Sequence, residues 1–245
     1  MDRTSLGAAV TARGLGVAGP RGRTFHDVDV AAAPGDLVAV RGPSGSGRTC
    51  LLLTLTGRMR PTAGTAEVGG LPLPRRMAAV RRITALAQVA GVCEPEGALS
   101  VAEHIRERVL LCRRFTGGPR ALFRPPAGAA ERADAALAAV GLDPDALPAG
   151  PRTLARDLDR PASLRLSLAL ALIGGPRLIA VDDADLKLDP AERADAWALL
   201  RSVAASGPTV LAVCAEAPED ADAVVTTVPA HGKETADAFA EAGRA

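Results

Sequence analysis

Residues 42–49 have the composition and spacing of a phosphate-binding loop. They lie between two apolar runs, at 37–40 and 51–53. These runs predict a strand before the loop and a helix after it, the order in which glycine N–H groups curl around a phosphate at a helix start. An ordinary glycine and serine turn before a helix is the alternative. The phosphate-binding candidates are Gly42, Pro43, Ser44, Gly45, Ser46, Gly47, Arg48, Thr49 and Cys50.

Arginine occupies the place at which this loop pattern has lysine. The Arg48 guanidinium can pair with phosphate oxygens, but it is bulky and forked, whereas a lysine ammonium is a point charge. The chain has only two lysines, Lys187 and Lys233, among its 29 basic residues. The exchange therefore also follows a chain-wide bias toward arginine, and we expect phosphate binding to survive it better than catalysis.

Two acidic residues complete the candidate site. Asp182 and Asp183 follow the apolar run 178–181, which predicts a buried strand. A carboxylate there reaches Mg²⁺ through water and the next residue orients the attacking water, while the hydroxyl of Thr49 is the expected partner on the ion. Two acids that only cap the loop are the alternative. Asp183 and Arg48 are the catalytic candidates.

The elements that must position these residues alternate between strands and helices. Alternating residues at 8–12 and 28–30, with a Pro34-Gly35 turn, predict an antiparallel β layer that leads into the loop strand. Further strands are predicted within 60–70 and at 178–181, 209–213 and 223–228, and helices at 100–114, 129–141, 190–205 and 234–243, with an apolar helix from 164 onward. This order predicts an α/β fold with a helical insert between its two halves.

Composition restricts the class of protein. The chain has 245 residues, 48% of them hydrophobic and 23% charged, which is typical of a globular domain. Its net charge of +1 argues against a nucleic-acid-binding protein held by a basic face. The four cysteines form no C-x-x-C pair and the three histidines no metal-ligand spacing, so we expect reduced, buried cysteines and no zinc site.

No segment of the sequence predicts secretion or membrane insertion. The first residues lack the apolar stretch of a signal peptide, and the longest charge-free apolar stretch, 166–176, is far too short to span a bilayer. We therefore expect a cytoplasmic protein, with docking on a membrane protein left open.

Several motifs, in the right order, resemble the ATP-binding subunit of ABC transporters over almost the full chain. The stretch 40–70 is similar to that family's phosphate-binding loop and following strand, 82–88 to its Q-loop, and 174–183 to the segment that leads to its second acidic motif. Residues 99–105 resemble the helix start after the Q-loop, and 188–190 resemble the D-loop.

The resemblance implies a P-loop NTPase core of the ABC type, with an antiparallel β layer and an inserted helical subdomain. The whole chain is then one nucleotide-binding domain, with its core at 1–88 and 166–245 and the helical subdomain at about 89–165.

The same resemblance implies cofactors and partners. ATP and Mg²⁺ are the expected cofactors, with Thr49, Gln88 and Asp182 at the metal. The family's glutamine at position 88 also contacts a transmembrane, permease-like partner. The domain is expected to form a homodimer, or a heterodimer with a second ATP-binding subunit, at the inner face of the cell membrane, and to bind no nucleic acid.

The sequence departs from the family's pattern at positions that take part in phosphate binding and hydrolysis in the family. The family's signature, Leu-Ser-Gly-Gly-Gln, aligns with 158–162, where Asp159 and Pro161 bring a negative charge and a missing N–H to a helix start that caps a phosphate in the family. As structure, both residues suit a helix start, and the neighbouring Arg160 supplies a positive charge. Ala215 replaces the switch histidine, and Asp183 replaces the catalytic glutamate.

The base-stacking aromatic of the family is also missing. Its place falls near Ala18 or Gly19, and the chain has no tyrosine. We expect Phe25 to pack in the core rather than on a base. Trp197 is expected to pack its amphipathic helix, and His104 and His231 are expected to be ordinary surface or helix residues.

Two functions fit these observations. The first is an energy-coupling subunit that binds ATP·Mg²⁺ and hydrolyses it weakly to drive a membrane partner. The second is a regulatory module that senses nucleotide without turnover, which the altered signature and Ala215 favour. The helical insert and the segment around Gln88 argue against a third reading, a P-loop kinase.

Overall fold

The computed structural model describes residues 7–19, 22–89, 91–116 and 128–228. The helix predicted at 234–243 and His231 lie outside these ranges. Within them, every helix is too short or too polar to cross a bilayer.

One sheet is antiparallel. Its strands are β1 (Val10–Gly19), β2 (Gly22–Ala32), β4 (Ala63–Val68) and β5 (Leu71–Leu73), in the spatial order β2-β1-β4-β5. Val10 of β1 pairs with Ala32 on one side and with Val68 on the other. Alternate residues of β2 are buried near its end, as the pattern at 28–30 predicts, and this sheet is the predicted β layer.

The other sheet is parallel and carries the site. Its strands are β3 (Leu37–Arg41), β6 (Thr84–Leu86), β7 (Leu178–Val181), β8 (Thr209–Cys214) and β9 (Ala223–Thr226), in the order β6-β7-β8-β3-β9. β7 and β8 are buried along their whole length, as expected for strands of a parallel sheet covered on both faces. Their carboxyl ends meet at one edge, with the end of β3 beside them.

Six α-helices complete the described part of the chain. They are α1 (Arg48–Leu55), α2 (Met77–Ile83), α3 (Val101–Thr116), α4 (Ala129–Val140), α5 (Arg160–Ile173) and α6 (Pro190–Ala205). The helix predicted at 190–205 is confirmed with both ends, and those at 100–114 and 129–141 to within two residues. The segment between α4 and α5 contains three short 3₁₀ turns, which lie with α3 and α4 in the region proposed as the helical insert.

Two apolar cores lie on opposite faces of the parallel sheet. The first, under the antiparallel sheet, includes Phe25 and Leu51, and the second includes Leu166 and Trp197. Phe25 and Trp197 are therefore core residues, as predicted. His104 is a residue of α3, and it is buried.

The cysteines differ from the expectation of buried thiols. Cys214 is buried, but Cys50, Cys93 and Cys112 are partly exposed. Cys50 and Cys93 pack against the first core, and Cys112 packs against a smaller apolar cluster that includes Ala133 and Ile173.

Candidate functional site

The phosphate-binding loop joins β3 to α1 and leaves the start of α1 open. Gly47 is the N-cap residue, with a left-handed φ of 83°, and it has no side chain to place over the first N–H groups. A Cβ atom at Gly47 would lie 2.6 Å from the carbonyl oxygen of Thr24, so only glycine fits this close approach. The helix start therefore offers backbone donors to an anion.

The back of the loop is held by two hydroxyl groups. Ser46 Oγ lies 2.6 Å from Thr227 Oγ1, and both residues are fully buried. The N–H of Thr227 donates to the carbonyl of Arg41 at 2.9 Å, which joins the residue after β9 to the end of β3. Thr227 was not among the sequence candidates, since it belongs to no motif.

The Arg48 side chain reaches from α1 to the carboxyl end of β8. Its Nη1 donates to the carbonyl oxygen of Cys214 at 2.9 Å, and its Nη2 lies 4.0 Å from Asp183 Oδ1. Burial raises the pKa of the Cys214 thiol to about 12, so the thiol is protonated at neutral pH. The carbonyl of this residue, rather than its sulfur, is what contacts the site.

Thr49 and Asp182 form the contact expected of two residues that share a cation. The Thr49 hydroxyl donates to Asp182 Oδ2 at 2.5 Å. Burial raises the pKa of the Asp182 carboxyl, and the hydrogen bond from Thr49 opposes that shift. A hydroxyl and a carboxylate are oxygen ligands of the kind that Mg²⁺ takes alongside substrate phosphates, so the pair fits the expected ion.

Two further candidates lie beside this pair. The carbonyl of Gln88 accepts the N–H of Asp182 at 2.7 Å, which brings the end of the Q-loop segment to the acidic pair. That the Gln88 side chain takes part in holding a metal ion stays a prediction. Burial and the charge of Asp182 both raise the pKa of Cys50.

Asp183 has a conformation that few non-glycine residues adopt. Its φ is +48°, and its N–H donates to Asp182 Oδ1 at 3.1 Å. Its carbonyl lies 3.5 Å from Arg160 Nη2. Arginines from α1 and from the start of α5 therefore flank Asp183, one at its carboxylate and the other at its backbone.

The start of α5 is closed by the chain itself. Asp159 is the N-cap residue and its carboxylate accepts the N–H of Ala162 at 2.8 Å, with Pro161 in the first turn. The predicted helix cap is confirmed. A carboxylate of the protein thus occupies the position that an anionic ligand takes at an open helix start.

A buried carboxylate that the sequence did not single out lies close to Asp183. Asp185 accepts the N–H of Ala215 at 3.0 Å on each of its two oxygens, and the N–H of Glu216 at 3.2 Å. Ala215 is the position at which the resemblance places a histidine, and here it takes part through its backbone.

A cleft opens on the other side of the Q-loop segment. It has a volume of about 220 Å³ and lies between residues 93–96, α3 and α5. Ser167 Oγ is buried at its wall and has no hydrogen-bond partner in the part of the chain that the structure describes. Leu110 and Leu111 of α3 expose 46% and 39% of their surface, and Leu111 lines the cleft.

The chain is similar in sequence to known proteins. Nod factor export ATP-binding protein I of Paraburkholderia xenovorans (strain LB400) is 32% identical over 197 residues, which cover 78% of this chain and 55% of the relative. Daunorubicin resistance ATP-binding protein DrrA3 of Streptomyces coeruleorubidus is 33% identical over 192 residues, covering 77% and 54%. The chain thus spans about half the length of these curated relatives.

Solved structures share the fold. A nucleotide-free ATP-binding cassette from an ABC transporter has a TM-score of 0.70 and 16% identity, covering 91% of this chain and 88% of that one. CbiO1 from Clostridium perfringens, part of the ABC transporter complex CbiONQ, also has a TM-score of 0.70, with 17% identity and coverages of 95% and 91%.

The family profile described as ABC transporter matches residues 25–185. This stretch is more than half of the chain and runs from β2 through the phosphate-binding loop to the acidic pair. Two relatives named as ATP-binding proteins agree with it at more than 30% identity. The chain therefore belongs to the ABC transporter family and carries its ATP-binding domain.

Proposed function

We propose that the chain is an energy-coupling subunit of an ABC-type membrane transporter, which binds ATP·Mg²⁺ and hydrolyses it weakly. The observation that carries the proposal is the pairing of Thr49 Oγ1 with Asp182 Oδ2, 2.5 Å apart, in the first turn of α1, whose start has no side-chain cap. Backbone donors for phosphates and oxygen ligands for a cation thus lie side by side.

In this proposal each residue of the site has a role in binding or hydrolysis. The N–H groups of the loop and the Arg48 guanidinium bind phosphate oxygens, and Thr49 and Asp182 hold Mg²⁺, with Gln88 beside them. The ion, when bound, neutralises the charge of the phosphates. Asp183 orients the attacking water.

We attribute the weak turnover to Asp183, the residue at the position of the family's catalytic glutamate. Its side chain is one methylene shorter than glutamate, and a general base must lie within about 2.6–3.2 Å of the proton that it accepts. Its carboxylate also faces the Arg48 side chain, with Asp183 Oδ1 4.0 Å from Arg48 Nη2. We therefore expect turnover well below that of a glutamate-containing site.

A second function, nucleotide sensing without turnover, is supported by the closed start of α5. The Asp159 carboxylate already accepts an N–H there, and Ala215 offers no side-chain contact to a phosphate. Pairing with a better preserved ATP-binding subunit would restore coupling, because each composite site of the family borrows its signature from the partner subunit. A homodimer would have two altered sites.

The partner is proposed to be a transmembrane, permease-like protein that contacts the cleft beside the Q-loop segment. This location is supported by the Ser167 hydroxyl, which has no partner among the described residues, and by the exposed Leu110 and Leu111. The helical subdomain is proposed to run over about 89–165, and the protein to lie in the cytoplasm against the membrane. Relatives named for both export and import exist, so we assign no cargo.

The proposal is tested by ATP binding and turnover of the purified protein with Mg²⁺. Arg48→Ala is expected to weaken ATP binding by about 10- to 100-fold, since a charged hydrogen-bonding group is lost. Arg75→Ala, an exposed arginine outside the site, is the control. Slow hydrolysis that Asp183→Asn abolishes supports the transporter subunit.

Other results separate the two functions. Micromolar ATP binding without turnover, lost in Arg48→Ala, favours the sensor. If Arg48→Lys then restores turnover, the arginine itself limits hydrolysis. A protein that binds no nucleotide contradicts both functions.

A further inference from the structure

Asp185 is a buried carboxylate whose partners are peptide groups. Only 6% of the residue is exposed. None of the ion pairs among the described residues includes it. A charge in such a place is costly unless it is hydrogen-bonded, and three bonds from the N–H groups of Ala215 and Glu216 satisfy it. Asp185 therefore fixes the backbone directly after β8.

The first of these N–H groups belongs to the peptide unit that also holds Arg48. The carbonyl of Cys214 and the N–H of Ala215 lie in one plane, because the peptide bond between them is planar. The N–H donates to Asp185 at 3.0 Å, and the carbonyl accepts from Arg48 Nη1 at 2.9 Å. Because the two groups share one plane, the hydrogen bond from the Ala215 N–H to Asp185 also orients the Cys214 carbonyl toward Arg48.

A second bond keeps the loop of Asp185 in place against β8. The N–H of Ala184 donates to the carbonyl of Val213 at 2.9 Å. The loop after β7 is therefore fastened to β8 on both sides of the Cys214 carbonyl. While these hydrogen bonds are formed, the Asp185 carboxylate and the peptide group that binds Arg48 hold one another in place.

We propose that Asp185 is a positioning residue for Arg48, which acts through the peptide unit between Cys214 and Ala215. A carboxylate, a planar peptide and a guanidinium form a relay from the acidic loop to the phosphate-binding loop. The relay holds the arginine ready beside the open start of α1. The side chain of Ala215 cannot contact a phosphate, but its backbone N–H takes part in this relay.

The first test needs no nucleotide. In the ¹⁵N-labelled protein we expect a slowly exchanging guanidinium signal, assigned to Arg48 by its disappearance in Arg48→Lys. Asp185→Asn replaces one acceptor oxygen by an amide that faces two donors, and we expect this signal to broaden or vanish. The control is Asp36→Asn, whose carboxylate accepts the N–H of Ala33 at 2.7 Å at the far edge of the sheet. It is expected to leave the signal unchanged.

The second test rests on the proposed function, because it measures ATP affinity. We expect Asp185→Asn to weaken ATP binding about threefold to tenfold in the wild-type background and less than about twofold in Arg48→Ala, the range of coupling seen for residues in one hydrogen-bond network. Asp185→Glu, which keeps the charge and moves the oxygens by one methylene, is expected to give a smaller loss and provides a folded variant if Asp185→Asn is unstable.

Either test can overturn the relay. Equal losses of affinity in the two backgrounds mean that Asp185 only stabilises the fold. An unchanged Arg48 signal in a folded Asp185 variant removes the link through the peptide. If the wild type binds no ATP, the proposed function is wrong, and the guanidinium signal alone decides on the relay.

Discussion

The starts of α1 and α5 differ in what satisfies their first N–H groups. The start of α1 follows a glycine with a left-handed φ, and no side chain covers it. At the start of α5, the Asp159 carboxylate accepts an N–H at 2.8 Å. Because both starts carry the partial positive charge of a helix N-terminus, the first is free for an external anion and the second is satisfied by the chain.

The difference shows how a binding role can be lost while the fold is kept. A glycine at a helix start leaves the first N–H groups for a ligand, whereas an aspartate cap contributes about 1 kcal/mol to the helix and uses one of those donors. Helix α5 also packs against α4 and supplies the second core with Leu166. Its structural role therefore does not depend on what its first turn binds.

The largest effect is expected from closing the open start. In Gly47→Ala the new Cβ lies 2.6 Å from the Thr24 carbonyl at a φ of 83°, so the loop must move. We expect loss of ATP binding and a destabilisation of about 1–3 kcal/mol, measured by ATP titration and urea unfolding. Gly45 has a φ of 79°, but a Cβ added there has no other atom within 4 Å. Gly45→Ala is therefore expected to cost only about 1 kcal/mol of stability. Equal effects of the two substitutions would remove the close approach as the reason.

Support behind the open start is the next target. Thr227→Val removes the partner of the buried Ser46 hydroxyl, 2.6 Å away. An unsatisfied buried hydroxyl costs about 1–3 kcal/mol, and ATP binding is expected to weaken several-fold as the loop loosens. The double variant with Ser46→Ala removes both hydroxyls and is expected to recover part of the stability in urea unfolding. No recovery would show that the two hydroxyls act independently.

Opening the closed start is expected to have a smaller effect on stability. Asp159→Ala removes the cap and is expected to destabilise the protein by about 1 kcal/mol, whereas Asp159→Ser keeps a cap at little cost. Because Asp159→Ser also removes a negative charge, we expect it to raise ATP turnover, measured at protein concentrations high enough for association. Unchanged turnover in Asp159→Ser would mean that this charge does not limit hydrolysis.

The smallest effect concerns pH. Burial raises the pKa of Asp182 above its ordinary value of 3.8, so the ionised carboxyl opposes folding when the pH is above the raised pKa. Asp182→Asn is expected to increase the thermal stability of the nucleotide-free protein at neutral pH. The gain should shrink as the pH falls through the raised pKa toward 3.8, where the wild-type carboxyl is protonated. ATP with Mg²⁺ should stabilise the wild type more than the variant; the opposite order would contradict a metal role for Asp182.

Elements with local signals were predictable from the sequence. Helix α6 was predicted at 190–205 and is found there, because Asp189 and Glu192 form a capping box at its start. Strand β1 was predicted only at 8–12, since its glycine-rich second half is defined by register-shifted pairing with β2. The seven-residue helix α2 was missed, because its short, arginine-containing sequence has no clear apolar face.

The same distinction applies to the site. The loop at 42–49 and the acidic pair were found because glycines and carboxylates at fixed local spacing have a mechanism. Thr227 and Asp185 were not found, because their partners lie 181 and 30 residues away and neither residue belongs to a local motif. The contact of Arg48 with Cys214 was missed for the same reason, since it spans 166 residues.

The position of β3 has a consequence for biosynthesis. β3 carries the phosphate-binding loop, but both of its neighbours in the sheet, β8 and β9, come from residues 209–226, and Thr227 then closes the loop from behind. A ribosome has to translate nearly the whole described chain before β3 has a single strand partner. The nucleotide site of the nascent protein therefore assembles only after synthesis of these strands, when such long-range pairing becomes possible, and ATP can stabilise it only from then on.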